Sequence, residues 1–134
     1  MSGFAVRAKL VISADDFDPC LGVEDLPQLE KKWRKGEKIH PNRQRKYPDT
    51  GFSLVLLDET SSPDWCDDLI LSLEKIVPSL QSLMDISILP APLISIYVDT
   101  DGERFPPLYL SRKFMGFVQL LQAEIDIDVI ASLD

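Results

Sequence analysis

The basic residues of this chain are concentrated in one short segment. Eight of the fourteen Lys and Arg residues lie between Lys31 and Lys46. With Glu37 as the single acid, this segment carries about +7, and because the whole chain carries −8, about −15 remains for the other residues. Charge that is separated in this way gives a dipolar surface, which suits charged partners.

Residue types in the basic segment favour binding of an anion. The candidate residues are Trp33, Arg34, Lys35, Gly36, Arg43, Arg45 and Lys46. Arginine offers a planar fork of donors, lysine offers a point charge, and glycine lets the backbone approach a ligand closely. A simpler alternative is that Trp33 fills the core while Arg34 and Lys35 pair with the acidic face of a strand predicted over residues 124–130. Both interpretations stay open at this point.

Carboxylates form a regular stripe near the C-terminus. Glu124, Asp126 and Asp128 alternate with apolar residues through residues 124–130. This alternation predicts a strand whose acidic side chains are exposed. The stripe could mimic a phosphate backbone and bind a basic partner, or it could be an ordinary solvated sheet face.

The remaining polar residues offer little for catalysis or metal binding. The aspartates of residues 15–18 and of residues 64–68 are explained by a turn and by helix N-termini, and no EF-hand spacing accompanies them. His40 is the only histidine and lies in a basic loop, and Cys66 is surrounded by acids that disfavour a thiolate. The chain has no P-loop, GxGxxG, CxxC or G-x-S-x-G motif. We therefore predict no enzyme, no cofactor and no metal site.

Periodicity along the chain predicts a mixture of strands and helices. The predicted strands cover residues 4–12, 52–57, 93–98, 105–110 and 124–130. An amphipathic helix is predicted from Ser62 to Leu83, and Pro78 is expected to kink it or to start a second helix. A further helix follows Ser111 through about Gln122. Short helical turns are expected after Asp18 and within residues 24–33, and a long basic loop is expected over residues 36–51.

These elements predict an α+β fold. We expect a two-layer sandwich in which an antiparallel or mixed sheet of about five strands has its helices packed on one face, in a ferredoxin-like arrangement. The length of 134 residues fits one domain, residues 1–134. The two cysteines fit no zinc spacing and are expected to be reduced thiols. Because no signal peptide and no apolar stretch of about 20 residues is present, we expect a cytoplasmic protein.

Five short motifs, taken in order, resemble a bacterial family without assigned activity, the domain of unknown function 4279 family. They are Asp15–Pro19 (DDFDP), Trp33–Glu37 (WRKGE), Gly51–Leu54 (GFSL), Pro107–Ser111 (PLYLS) and Glu124–Asp128 (EIDID). The chain departs from the family between the first two motifs, where Cys20–Gly22 follows almost at once. The resemblance implies a fold more than a function. Proteins of this general kind are sometimes encoded beside secreted toxins as immunity proteins.

The net charge of the chain ranks protein binding above general nucleic-acid binding. An isoelectric point near 4.6 argues against general nucleic-acid binding, because phosphate is repelled by most of the surface. The leading hypothesis is a protein-binding domain that takes a basic partner, with neutralisation of a basic toxin or effector (an immunity protein) as its most concrete form. The alternative is an anion-, nucleotide- or RNA-binding regulatory module built on residues 31–46. Both a monomer and a homodimer are compatible with the sequence.

Overall fold

The computed structural model describes residues 3–15, 23–86 and 90–131 of the chain. Seven elements follow one another in these ranges: β1 (Phe4–Ala14), β2 (Leu29–Trp33), β3 (Thr50–Thr60), α1 (Trp65–Ile86), β4 (Leu93–Thr100), α2 (Arg112–Leu121) and β5 (Glu124–Ile130). A single 3-10 turn, Val23–Asp25, precedes β2. The short helix predicted after Asp18 lies outside the described residues.

The five strands form one open mixed sheet in the order β2-β3-β1-β4-β5. The three pairings β1–β3, β1–β4 and β2–β3 are antiparallel, whereas β4 and β5 are parallel. Parallel strands need a crossover, and α2 supplies it between β4 and β5. The strands β2 and β5 are therefore the two edges of the sheet, and the α+β two-layer prediction is confirmed.

Alternating side chains of the sheet build the core on one of its faces. In β1, Val6, Ala8, Leu10 and Ile12 are buried, as the sequence predicts, while Arg7 between them is exposed. Register places Ile94, Ile96 and Val98 of β4 on the same side. These residues join α1 and α2 in one hydrophobic cluster. The opposite face of the sheet, which we call the open face, carries the polar positions of each strand.

The helix α1 follows the predicted amphipathic pattern closely. The six apolar residues that recur along it at intervals of three and four are all buried: Trp65, Leu69, Leu73, Ile76, Leu80 and Leu83. The helix continues through Pro78, so the alternative of a second helix that starts there is wrong. Ser62 does not cap it directly, because its Oγ accepts from the Asp64 N–H in a turn and the helix begins at Trp65.

The strand predicted over residues 105–110 is wrong. This segment has no regular secondary structure, and Phe105, Leu108 and Tyr109 are exposed. Pro106 and Pro107 have no N–H to donate to a ladder. The carbonyl of Pro107 instead accepts a hydrogen bond from Trp65 Nε1 at 2.9 Å. The neighbour of β4 is accordingly β5, and β4 does not pair with residues 105–110.

A hydrogen-bonded turn directs the chain away from the sheet after β4. The N–H groups of Arg104 and Glu103 donate to Asp101 Oδ1 at 2.7 and 2.9 Å, and these bonds hold the pKa of Asp101 below its ordinary value. Gly102 has a φ of +87°, the left-handed conformation that glycine adopts without strain. The chain thus turns directly after β4, and no strand follows the turn.

The helical turns predicted within residues 24–33 are only partly present. The 3-10 turn stops at Asp25, and Leu29–Trp33 is a strand. Pro27 interrupts a helix, and Gln28 has a positive φ of 65° that ends it. The backbone then pairs with β3, and the spacing of Leu26, Leu29 and Trp33 proves to be a false helical signal.

Candidate functional site

The basic segment lies at the β2 edge of the sheet and continues into an ordered arm. Residues 34–49, here called the basic arm, connect β2 to β3. Gly36 N–H donates to Tyr47 O at 3.0 Å, Tyr47 N–H donates to Glu37 O at 2.8 Å, and an isolated bridge joins Lys38 to Lys46. The predicted long loop is therefore a hairpin-like extension rather than an open coil.

Aromatic stacking supports the base of the arm. Trp33 and Tyr47 stack with ring centroids 5.6 Å apart, and Trp33 Nε1 donates to Asp49 Oδ1 at 3.1 Å. Lys31 Nζ lies 5.6 Å from the centre of the Trp33 ring. Trp33 is half-buried on the open face above Gly51, so the alternative in which it fills the core is wrong.

The cations of the segment do not pair with the acidic strand. Lys35 Nζ lies 3.6 Å from Asp15 Oδ1, and Lys32 pairs with Glu24. Because β2 and β5 are opposite edges of the sheet, Arg34 and Lys35 are on the wrong side of it to reach the β5 acids. The alternative that assigned them to that acidic face is therefore wrong.

The tip of the arm presents cations to solvent. Arg43, Arg45 and Lys46 are exposed, and no ion pair within the described residues involves them. Gly36, at the turn into the arm, has a φ of +88°, which favours glycine there whether or not a ligand approaches. The predicted anion-binding residues thus lie on the basic arm and its base. Trp33 and Gly36 are at the base, and Arg43, Arg45 and Lys46 are near the tip.

The predicted acidic stripe is present on the opposite edge. Glu124, Asp126 and Asp128 are exposed, and register places the last two beside Ser95 and Tyr97 on the open face. Within the described residues, no ion pair involves any of the three acids. The structure therefore divides the sequence-predicted site residues into two separate surfaces of opposite charge.

A third polar feature lies between the two edges and was missed by sequence reasoning. A shallow cavity of about 400 Å³ on the open face is lined by Arg7, Lys9, Glu30, Asp58, Glu59 and Tyr97, among others. Arg7 Cζ and Lys9 Nζ lie 5.2 and 5.6 Å from the centre of the Tyr97 ring. The signal was the polar half of the β1 alternation, but nothing in the sequence indicates that Tyr97 stands beside it.

The remaining candidates show ordinary structural roles. His40 is exposed, and its Nδ1 accepts from the Asn42 N–H at 3.3 Å. Cys66 is a free, half-buried thiol, while Cys20, Asp16 and Asp18 lie outside the described residues. In the part of the chain that the structure describes, no group of three or more His, Cys, Asp and Glu residues could hold a metal ion.

Fold and surfaces together define a two-layer α+β domain with a basic edge and an acidic edge. No helix in the described ranges is long and apolar enough to cross a membrane. No family model, curated protein or solved structure matches the chain. The resemblance to the domain of unknown function 4279 family, like the ferredoxin-like arrangement, accordingly stays a prediction.

Proposed function

We propose that this chain is a non-enzymatic, cytoplasmic protein-binding domain whose acidic β5 edge takes a basic protein partner. Neutralisation of a basic toxin or effector is the most concrete form of this role. The supporting observation is that Glu124, Asp126 and Asp128 stand exposed in one row, with no ion pair to them in the described residues. A row of unpaired carboxylates attracts a cationic surface over several ångströms and orients it on approach.

The position of the basic arm strengthens the proposal. If the arm covered β5, its cations would neutralise the acids within the chain. The sheet order places three strands between β2 and β5, so the two charged surfaces remain separate. The acidic edge is therefore available to another molecule, and the arm is expected to repel a basic partner from the other edge.

Reversing the charge of the acidic row is expected to abolish partner capture. The protein is immobilised and incubated with a lysate of its host, and the captured proteins are identified by mass spectrometry. We expect a basic protein on the wild type and at least tenfold less of it on the triple variant Glu124→Lys, Asp126→Lys, Asp128→Lys, because attraction becomes repulsion.

A matched control distinguishes the effect of the acidic row on partner capture from the effect of the overall net charge. Asp58, Glu59 and Glu103 are exposed acids outside β5, and changing all three to Lys raises the net charge by the same amount. This control is expected to retain the captured protein. If the β5 variant also retains it, while circular dichroism shows that both variants are folded, the acidic edge is not the binding surface.

A second candidate function rests on the ordered basic arm. Its backbone hydrogen bonds and the Trp33–Tyr47 stack order the arm, on which Arg43, Arg45 and Lys46 are exposed close together in sequence. A preformed cationic cluster suits phosphate groups, so the arm would serve an anion-, nucleotide- or RNA-binding regulatory module.

Binding of RNA to the arm is expected to depend steeply on salt. Fluorescence anisotropy with a labelled 12-nucleotide oligouridine, measured from 20 to 200 mM salt, tests this directly. The variant Arg43→Ala, Arg45→Ala, Lys46→Ala should lose at least tenfold in affinity, whereas Lys75→Ala on α1 should bind as the wild type does. Absence of binding at 20 mM salt would remove this candidate.

A further inference from the structure

The free edge of β5 carries backbone groups whose identity follows from the ladder with β4. The N–H of Glu124 donates to the carbonyl of Pro92 at 3.0 Å, and Leu93 is paired with Glu124 in parallel register. In a strand, the N–H and C=O of each residue point to the same side, and successive residues point to opposite sides. Asp126 and Asp128 therefore direct their backbone groups toward β4, whereas Ile125, Ile127 and Val129 direct theirs outward.

Two of the residues whose backbone groups point outward, Ile127 and Val129, also have unusually exposed apolar side chains. Ile127 and Val129 lie on the core side of the sheet, in register with Ile96 and Val98 of β4. Those two β4 residues are essentially fully buried, but Ile127 and Val129 are 38% and 45% exposed. The apolar side of the sheet thus extends past its helical cover at this edge.

The β5 edge lacks most of the features that prevent strand pairing, and its acids oppose only a strand that is itself acidic. Its seven residues, EIDIDVI, include no proline, no lysine and no arginine, and no register shift interrupts its ladder with β4. The β2 edge differs, since β2 has only five residues and carries Lys31 and Lys32. An uninterrupted edge with acids on one side and exposed apolar residues on the other is a template for a strand of complementary pattern.

We infer that the partner binds by strand addition to β5, through an extended segment with Lys or Arg on one face and β-branched apolar residues on the other. This inference rests on the proposed function and specifies how the acidic edge would be used. The basic face of the added strand would lie beside Asp126 and Asp128, and its apolar face would cover Ile127 and Val129. The backbone groups of these two apolar residues would pair with those of the added strand.

A second copy of the chain is a poorer occupant of this edge. Antiparallel pairing of two β5 strands places the same faces side by side, so that the acidic residues of one copy stand opposite those of the other. Like charges directly opposite one another destabilise a sheet. Charge complementarity therefore selects a basic strand from another protein.

Four synthetic peptides test the strand-addition mode without knowledge of the partner. The first is a capped decapeptide in which Lys and Val alternate, and the second has the same five Lys and five Val in two blocks. The third and fourth are the alternating peptide N-methylated on every Lys and on every Val, respectively. Affinity for the full chain is measured by fluorescence anisotropy. We expect the alternating peptide to bind at least tenfold more tightly than the block peptide.

The two N-methylated peptides keep the sequence of the alternating peptide and test which of its backbone amides form hydrogen bonds to β5. In antiparallel addition the Val amides would face β5, and in parallel addition the Lys amides would face it. Exactly one of the two should lose binding, and which one does so gives the direction of the added strand. Equal affinities for the two N-methylated peptides would overturn strand addition.

A proline pair provides the matched test on the protein itself. Ile127→Pro removes an outward N–H and leaves the ladder to β4 intact, whereas Asp126→Pro removes a ladder donor. We expect Ile127→Pro to stay folded by circular dichroism but to lose at least tenfold in affinity for the alternating peptide, and Asp126→Pro to lower the melting temperature. Unchanged peptide affinity in folded Ile127→Pro would contradict the inference.

The outcomes separate this inference from the proposed function. Equal binding of the alternating and block peptides, lost in the triple acid-to-Lys variant, would overturn strand addition and leave an acidic binding surface in place. If neither peptide binds at low salt, strand addition fails, and the capture experiment alone decides whether a basic partner exists.

Discussion

Replacing Trp65 with alanine is expected to lower the free energy of unfolding by about 3–5 kcal/mol. Trp65 is the first residue of α1 and is fully buried in the hydrophobic cluster. Its Nε1 also donates to the carbonyl of Pro107 at 2.9 Å, which ties the irregular segment before α2 to the start of α1. The substitution removes both the packing and this connection. Urea denaturation followed by far-ultraviolet circular dichroism measures the change.

Two further variants show whether the loss in Trp65→Ala comes from the buried ring, from its hydrogen bond or from any change in α1. Trp65→Phe keeps an aromatic ring but loses the indole donor, and we expect a smaller loss of about 1–2 kcal/mol. Leu71→Ala lies on the exposed side of the same helix, where Leu71 is 55% exposed, and should change the free energy of unfolding by less than about 0.5 kcal/mol. A loss below about 1 kcal/mol in Trp65→Ala would contradict the burial of this side chain.

The contrast between α1 and the Pro106–Pro107 segment shows what the sequence can predict. The helix follows from local signals, because apolar residues at intervals of three and four determine its buried side. The acceptor of the Trp65 indole lies 42 residues away along the chain, and no local pattern specifies it. A short run with apolar residues at Phe105 and Leu108 resembles an edge strand, where prolines are tolerated, until the competing β5 is taken into account.

The candidate surfaces show the same division between local and nonlocal information. The exposure of Glu124, Asp126 and Asp128 was predictable, because strand alternation alone places them on one side. Their separation from the basic arm was not predictable, since it depends on β2 and β5 lying at opposite edges of the sheet. The residue spacing within residues 24–33 predicts helical turns instead of the strand β2, so no sequence signal places the arm on an edge of the sheet.

The separation of the acidic edge from the basic arm would orient a charged partner before it binds. A chain with acids at one edge and cations at the other has a dipole directed across the sheet, and under the proposed function this dipole would turn an approaching basic partner toward β5 before contact. The effect depends on ionic strength, because exposed charges more than about 10 Å apart are screened at 0.1 M salt. Raising the salt concentration should therefore slow association with the partner more than it speeds dissociation.

Replacing Gly51 with alanine is expected to destabilise the fold by about 1–3 kcal/mol, and the reason is close packing of backbone in the sheet. A Cβ atom at Gly51 would lie 2.4 Å from the carbonyl oxygen of Ile12 and 2.7 Å from Trp33 Cζ2. The carbonyl belongs to β1 and cannot move without disturbing the β1–β3 ladder, in which Ser13 is paired with Gly51. The ring of Trp33 would also be displaced from Tyr47, which supports the base of the basic arm.

The glycine of α2 is the matched control for this substitution. A Cβ atom at Gly116 would meet nothing within 4 Å, and alanine is the better helix former, so Gly116→Ala should raise the free energy of unfolding by about 0.5–1 kcal/mol. Urea denaturation of the two variants beside the wild type is expected to show a lower free energy of unfolding for Gly51→Ala and a higher one for Gly116→Ala. Equal stability of Gly51→Ala and the wild type would mean that β1 and β3 are not packed this closely at the base of the arm. In that case the Trp33–Tyr47 stack would lose its structural basis, and so would the fixed cationic cluster that the second candidate function requires.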